Sequence, residues 1–236
     1  MAKQKPIFTA ETCRFFRDLS RNNRKEWMDA NRERYREQVV EPFRRLLDRL
    51  GPVVLRLNPH FDISGRTGTN FSRINRDIRF ARDKSPYRPQ MYLLFADERA
   101  QEDAPATPVA GDGQLYVGIA ADAATAGFRI YGERRSWLGR MAAPRAAEQT
   151  KWLGRQARRL RRKYESYWYS TEKGEWKKNR GWPMKPEEWK RLRGWIVRRK
   201  MRPAAAARAD FPEQVAHIFR ELLPLYRFTS SADWKA

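Results

Sequence analysis

The residues with the clearest capacity for chemistry stand together in Arg73-Ile74-Asn75-Arg76-Asp77-Ile78-Arg79-Phe80-Ala81-Arg82-Asp83-Lys84-Ser85-Pro86-Tyr87. Asp77, Asp83 and Lys84 supply two carboxylates and a lysine, the ingredients of a metal-dependent nuclease. That arrangement also wants an acidic residue two positions before the lysine, and Arg82 is there instead. The segment reads as an anion site too: Arg73, Arg76, Arg79 and Lys84 would grip a phosphate or carboxylate, with Asp77 and Asp83 orienting them. A third reading is a structural ion-pair network pinning strand, turn and N-terminal helices, with Tyr87 filling the core behind Pro86. Alternation along a strand puts Arg73, Asn75, Asp77 and Arg79 on one face. Arg76 then falls among Ile74, Ile78 and Phe80, where an unpaired cation is expensive. It needs a carboxylate or a ligand.

A second chemistry is electrostatic. Between Lys151 and Tyr164 there are many cations and no acidic residue. On a helix, Leu153, Ala157, Leu160 and Tyr164 share one apolar stripe, while Lys151, Arg155, Arg158 and Arg162 turn well away from it. Arg159, Arg161 and Lys163 widen the cationic side. Such a ridge suits a phosphate backbone, because each neutralised phosphate releases counterions. The plainer alternative is a solvated face, although its uncompensated charge repels itself.

Tyr164-Glu165-Ser166-Tyr167-Trp168-Tyr169 follows, then Lys173, Trp176, Lys177, Lys178, Arg180 and Trp182. Aromatic rings interleaved with cations can stack unpaired bases while the cations track phosphates. The alternative is that these rings are core, or pack under arginines as cation–π pairs. No RNA-binding motif of recognised spacing occurs, and there is no Walker-type phosphate loop.

Lys and Arg total 50 against 28 Asp and Glu, a net charge of +22. Of this excess, +17 falls between Arg134 and Arg202, which also holds seven of the nine tryptophans. Arginines number 37 and lysines 13; guanidinium forks bind phosphate or carboxylate through two parallel bonds. An aromatic share of 13% excludes a disordered chain. The single cysteine, Cys13, excludes an internal disulfide and a thiolate zinc site, and His60 and His217 are far apart. No cofactor and no metal are therefore expected. Cys13 has Arg14 and Arg17 nearby, which could lower its pKa, but on an amphipathic helix it reads as a packing residue. His60 reads as loop and His217 as a structural histidine on a helix. The segment Met1 to Pro6 lacks the apolar stretch of a secretory signal. The conspicuous apolar run Met91 to Ala96 is far shorter than the roughly 20 residues of a membrane span. The expectation is a soluble cytoplasmic protein.

The elements that must position these groups follow from periodicity. Thr9 predicts an N-cap for a helix bearing Phe15, Phe16 and Leu19. Trp27, Tyr35, Val39, Phe43, Leu46, Leu47 and Leu50 predict a second helix, kinked at Pro42 and ended by Gly51-Pro52. Short strands are expected at Phe71 to Phe80, Gln90 to Ala96, Gln114 to Ala121 and Phe128 to Glu133, with a loop over 98–113 and Ala123 to Gly127 closing a hairpin. Short links favour antiparallel pairing. A last helix is expected from Pro212 to Leu223. The whole reads as one α+β domain over 1–236: a helical hairpin (9–51), a small mainly antiparallel sheet (70–133), and a basic, Trp-rich, mainly helical part (134–225).

The stretch Arg76, Asp77, Arg79, Phe80, Asp83, Lys84, Pro86 and Tyr87 resembles the signature of the family known as domain of unknown function 2461, roughly Arg-Asp-x-Arg-Phe-x-x-Asp-Lys-x-Pro-Tyr. Phe15-Phe16 through Asn22-Asn23-Arg24-Lys25-Glu26-Trp27, with Asn31, Arg32 and Tyr35, is similar to the family's start. Phe211 to Leu225 is similar to its final helix. The resemblance implies a single α+β domain and carries no assigned reaction, cofactor or catalytic residue. The expected function is a nucleic-acid binder, RNA ahead of DNA, using Lys151, Arg155, Arg158, Arg159, Arg162, Lys177, Lys178 and Arg180. The alternatives are an enzyme on an anionic substrate at Arg76–Lys84, or a module docking an acidic protein.

Overall fold

The computed structural model describes residues 5–79, 82–98, 113–131, 137–173 and 175–230, with the backbone alone for 137–142. The expected loop over 98–113 and the strand ends at Phe80, Gly132 and Glu133 lie almost wholly outside these residues. The protein is α+β. Its strands are β1 (Gln90–Phe95), β2 (Gln114–Ala120), β3 (Ala124–Tyr131), β4 (Glu165–Glu172), β5 (Glu175–Arg180) and β6 (Gly194–Met201). They form one antiparallel sheet in the order β1-β2-β3-β6-β4-β5. Two compact units divide the chain: Met1–Phe95 with Tyr116–Thr125 and Lys200–His217, and Ala96–Leu115 with Ala126–Arg199 and Ile218–Ala236.

In the first unit, α1 (Ala10–Arg21) starts where expected, its Glu11 N–H donating to Thr9 Oγ1 at 3.2 Å. It buries Phe15, Phe16, Leu19 and Cys13. Phe15 meets Trp27 at 5.7 Å and Tyr35 at 5.6 Å between ring centroids. The second expected helix is broken into α2 (Lys25–Ala30), α3 (Arg32–Tyr35), a π-helical turn (Arg36–Val40) and α4 (Glu41–Leu57). The widened turn ends two residues before Pro42, whose ring would clash with a carbonyl of a regular α ladder. Gly51-Pro52 does not end the helix, contrary to expectation. Pro52 removes one ladder bond, but the fully buried Val54 holds the next turn in place, and Asn58 closes it by donating to the Val54 carbonyl at 3.0 Å.

The strand expected over Phe71 to Phe80 is also corrected. Among the described residues only isolated bridges form there, Phe71 to Thr67 and to Leu93, and Asn75 to Tyr87. The Asn75–Tyr87 bridge is closed by Arg76 N–H to the Pro86 carbonyl and Arg88 N–H to the Ile74 carbonyl, both at 2.8 Å, and Pro86, which has no N–H, cannot donate the next bond. The segment nevertheless stays extended: Arg73, Asn75, Asp77 and Arg79 are exposed while Ile74, Arg76 and Ile78 are half-buried.

In the second unit the helices α5 (Trp137–Glu148) and α6 (Thr150–Leu160) precede β4; α7 (Pro186–Lys190) lies between β5 and β6. The chain then continues through α8 (Pro203–Ala206) to α9 (Phe211–Thr229), which runs from the first unit into the second and extends past the expected Leu223. Helices predominate from 137 onward, but three strands occupy 165–201, where none was expected. Their core is aromatic. Trp195 meets Phe128 at 5.6 Å, Trp182 at 5.4 Å and Trp189 at 5.4 Å; Phe228 joins through Trp189 at 5.5 Å and Trp152 at 5.3 Å. The Trp195 Nε1–H donates to Ser166 Oγ at 3.0 Å, so the buried indole is satisfied. Among the described residues no helix is long and apolar enough to cross a membrane.

Candidate nucleic-acid interface

The Arg73–Lys84 segment is an ordered set of internal pairs. Arg79 grips Asp77 as a fork, Nε to Oδ1 at 3.0 Å and Nη2 to Oδ2 at 2.7 Å. This holds the Asp77 carboxyl down at about 2. Arg76 donates to Asp83, so the half-buried cation has found its carboxylate. Asp83 also accepts from the Ser85 N–H at 2.9 Å, and these bonds, Ser85 first, hold it well below the usual carboxylate range. Lys84 Nζ donates to the carbonyls of Ile78 at 3.1 Å and Arg79 at 3.4 Å. Arg73 lies beside Gly68. The other end of the motif is fastened by Asn23, which bonds both main-chain polar groups of Tyr87.

A neighbouring buried network was not legible beforehand. Asn70 is fully buried and donates to the carbonyls of Asp62 (2.6 Å) and Leu94 (3.1 Å), while its oxygen accepts from the Gly65 N–H at 2.8 Å. Asp62, also buried, accepts from the Ser64 N–H at 2.7 Å and from Arg66 at 3.0 Å. A lone Asn and Asp in a Gly-rich loop give no periodic signal; only their burial marks them. Cys13 is buried as well, and burial pushes its thiol up despite Arg17, so it is a packing residue.

On α6, Leu153 and Leu160 are buried, and Lys151, Arg155, Arg158 and Arg159 are exposed, as are Arg161, Arg162 and Lys163 just beyond it. Arg159 donates to the Glu221 carbonyl and to Gln156, both at 2.9 Å. Lys163 pairs with Glu221 at 2.7 Å, and Tyr164 donates its hydroxyl to the same carboxylate. These contacts anchor the end of α6 on α9. Burial, and then Glu221, push the Tyr164 phenol far up. Lys151, Arg155, Arg158 and Arg162 enter no ion pair among the described residues.

The strands β4, β5 and β6 separate the aromatic-rich segment into two faces. Register places Tyr167 opposite Arg180 and Ile196, Tyr169 opposite Lys178 and Gly194, and Thr171 opposite Trp176. These residues share one face. Trp168, Ser170, Asn179, Lys177 and Trp195 occupy the other, which carries the core. Lys177 is thereby parted from Lys178 and Arg180, and its ammonium pairs with Glu172 at 2.8 Å. On the first face Trp176 is 49% exposed, and its ring lies 5.6 Å from Tyr169 and 6.5 Å from Tyr131. Tyr131 and Tyr169 are 6.3 Å apart. Lys178 Nζ stands 3.9 Å from the Tyr167 ring centroid, with Arg198 at 5.2 Å. Arg129 stands 5.9 Å from the Tyr131 ring centroid. A Cβ at Gly194 would come within 2.6 Å of the Tyr131 ring, so only glycine there lets that ring approach the sheet. Tyr131, Arg129 and Arg198 were not among the expected site residues. The signal that could have found the split is the period of two in Tyr167-x-Tyr169 and Trp176-x-Lys178-x-Arg180.

Fold and geometry together define an α+β protein whose motif segment is internally ion-paired and whose sheet brings solvent-reaching aromatic rings and cations to one face. The chain belongs to the family described as conserved hypothetical protein (DUF2461), whose model matches residues 11–228. It matches no curated protein.

Proposed function

We propose that this protein binds nucleic acid, RNA ahead of DNA, through the cations of its second unit. The observation that carries the reading is the two-sidedness of α6: Leu153 and Leu160 are buried, while Lys151, Arg155, Arg158 and the following Arg162 stand exposed without an ion pair among the described residues. Charge that serves stability is normally paired at helical spacing. Here it repels itself, and a phosphate backbone relieves that repulsion with release of counterions. Lys178 and Arg180 extend the cationic surface on β5. The competing reading, an enzyme at Arg76–Lys84, draws less support, because Arg76 and Arg79 already engage Asp83 and Asp77.

The test is binding of fluorescent RNA across a salt series, with wild type beside a Lys151, Arg155, Arg158 and Arg162→Glu variant. Arg159 is left intact because it anchors α6 to Glu221. Contact with six phosphates gives a slope of log K against log salt of about −4 to −5. The variant should bind weakly and with a flatter slope while melting like wild type. A flat salt response in the wild-type protein refutes the reading, as does tight binding by the variant.

A further inference from the structure

We propose that the face shared by β3, β4, β5 and β6 in the second unit takes unpaired RNA, with bases stacked on Tyr169 and Trp176 and phosphates held by Lys178 and Arg180. This rests on the nucleic-acid reading above and names its ligand and its site.

Three observations support it. First, the rings are presented to solvent. Among the described residues only Ile63 and Trp176 are exposed large hydrophobic side chains, and Trp176 is the more exposed. It stands on the edge strand, in contact with Tyr169, and Tyr131 completes a triangle of rings whose centroids lie 5.6–6.5 Å apart. The three rings together form a contiguous apolar patch at a sheet edge, the kind of surface that marks an interaction site. Second, cations border the same rings. Lys178 pairs in register with Tyr169 and Arg180 with Tyr167, so the face holds positive charge within one strand spacing of the stacking surfaces, while Arg198 is engaged by Glu165 at 3.1 Å. Third, the exposed Thr171 offers a hydroxyl donor and acceptor on that face that a ribose 2′-hydroxyl can bond.

Flat rings flanked by cations match a base with its phosphate. They do not match a duplex, whose base faces are covered by neighbouring pairs. An acidic protein would satisfy the cations but leave the rings with no comparable planar partner. The complement of this face is therefore a short run of unpaired nucleotides, with RNA distinguished from DNA by its 2′-hydroxyls.

The experiment measures fluorescence anisotropy of a labelled 12-nucleotide U-rich RNA, the same sequence as DNA, and an RNA duplex of equal length. The proteins are wild type, Trp176→Ala, Trp176→Phe, Tyr169→Ala and the α6 charge-reversal variant, each shown by circular dichroism to be folded. Wild type should bind single-stranded RNA at least about tenfold tighter than the duplex. Trp176→Ala and Tyr169→Ala should each weaken single-strand binding at least about fivefold, the loss of one stacking partner. Their salt slopes should stay at the wild-type value, because no cation is removed. Trp176→Phe should recover most of the loss, which a merely structural role at an exposed edge position would not require. Equal affinity for RNA and DNA single strands would overturn the assignment to RNA. Indifference to both ring deletions, with binding abolished by charge reversal on α6, would overturn the stacking face and leave the nucleic-acid reading standing. Binding of no nucleic acid by the wild-type protein would overturn both.

Discussion

Asn23 holds the main chain of Tyr87 on both sides: its Nδ2 donates to the Tyr87 carbonyl at 2.9 Å, and its Oδ1 accepts from the Tyr87 N–H at 3.0 Å. The carboxamide thus acts as a one-residue strand partner across a separation of 64 positions. It ties the link between α1 and α2 to the end of the Arg73–Tyr87 segment, and it leaves the buried Tyr87 with its backbone polar groups satisfied.

Replacing Asn23 should expose the value of that clamp. Asn23→Ala leaves two partly buried backbone groups without this partner and should lower unfolding stability by about 1–3 kcal/mol in urea titrations. Asn23→Asp keeps the acceptor but sets a carboxylate oxygen against the Tyr87 carbonyl, so it should not rescue the loss seen with Ala. No loss in either variant would contradict the clamp.

The pairing of Asp77 with Arg79 predicts an unusual titration. In carboxyl-resolved NMR the Asp77 midpoint should lie at about 2, and Arg79→Ala should return it towards the ordinary carboxylate value of about 3.9. The folded pKa is depressed, so the pair's stabilisation is present above the unfolded value and is lost as pH falls through about 2. Both groups are exposed, and solvent screening keeps that contribution small. An Asp77 midpoint indifferent to Arg79→Ala would remove the pair.

Much of this was legible in the residues, and the rest failed for physical reasons. Thr9 announced α1, and the alternation of Arg73, Asn75, Asp77 and Arg79 against Ile74, Arg76 and Ile78 correctly separated exposed from half-buried positions even though no strand formed. Extended backbone imposes that period; a longer ladder needs a further donor at Pro86, which has none, so pairing stops at the two bonds around Asn75 and Tyr87. β5 was missed because Glu175–Arg180 turns polar residues, Lys177 and Asn179, even to the core-bearing face and so shows no apolar alternation. The ring cluster of Tyr131, Tyr169 and Trp176 depends on β6 lying between β3 and β4, a non-local fact that no local spacing encodes.

Cys13 should behave as a reporter of global opening. It is buried on α1, and burial pushes its thiol up more than Arg17 pulls it down. Alkylation of the native protein at pH 8 should therefore be at least about a thousandfold slower than of the urea-unfolded chain, in keeping with ordinary domain stability. Rapid native labelling would mean that α1 opens on its own.

Gly127 gives the sharpest prediction for the sheet itself. A Cβ at this position would fall 2.3 Å from the Val197 carbonyl oxygen and 2.7 Å from the Arg198 Cα, both backbone atoms of β6. A side chain can swing aside from such a clash, but a paired strand cannot without giving up its ladder. Gly127→Ala should therefore cost about 3 kcal/mol or more in stability, at the upper end for overpacking. Because Arg198 caps the Tyr167 ring beside Lys178, the same substitution should also disturb the ring-bearing face. Gly194→Ala makes the complementary case. Its closest clash is with the Tyr131 side chain at 2.6 Å, which can rotate away, although the Ile130 carbonyl is also tight at 3.2 Å. Its stability loss should be smaller than that of Gly127→Ala, while Tyr131 is displaced from Tyr169 and Trp176. Thermal melts of the two variants, read beside their affinity for single-stranded RNA, separate damage to the fold from damage to the face. Equal melting losses would mean that the β3–β6 approach at Gly127 is looser than the structure describes.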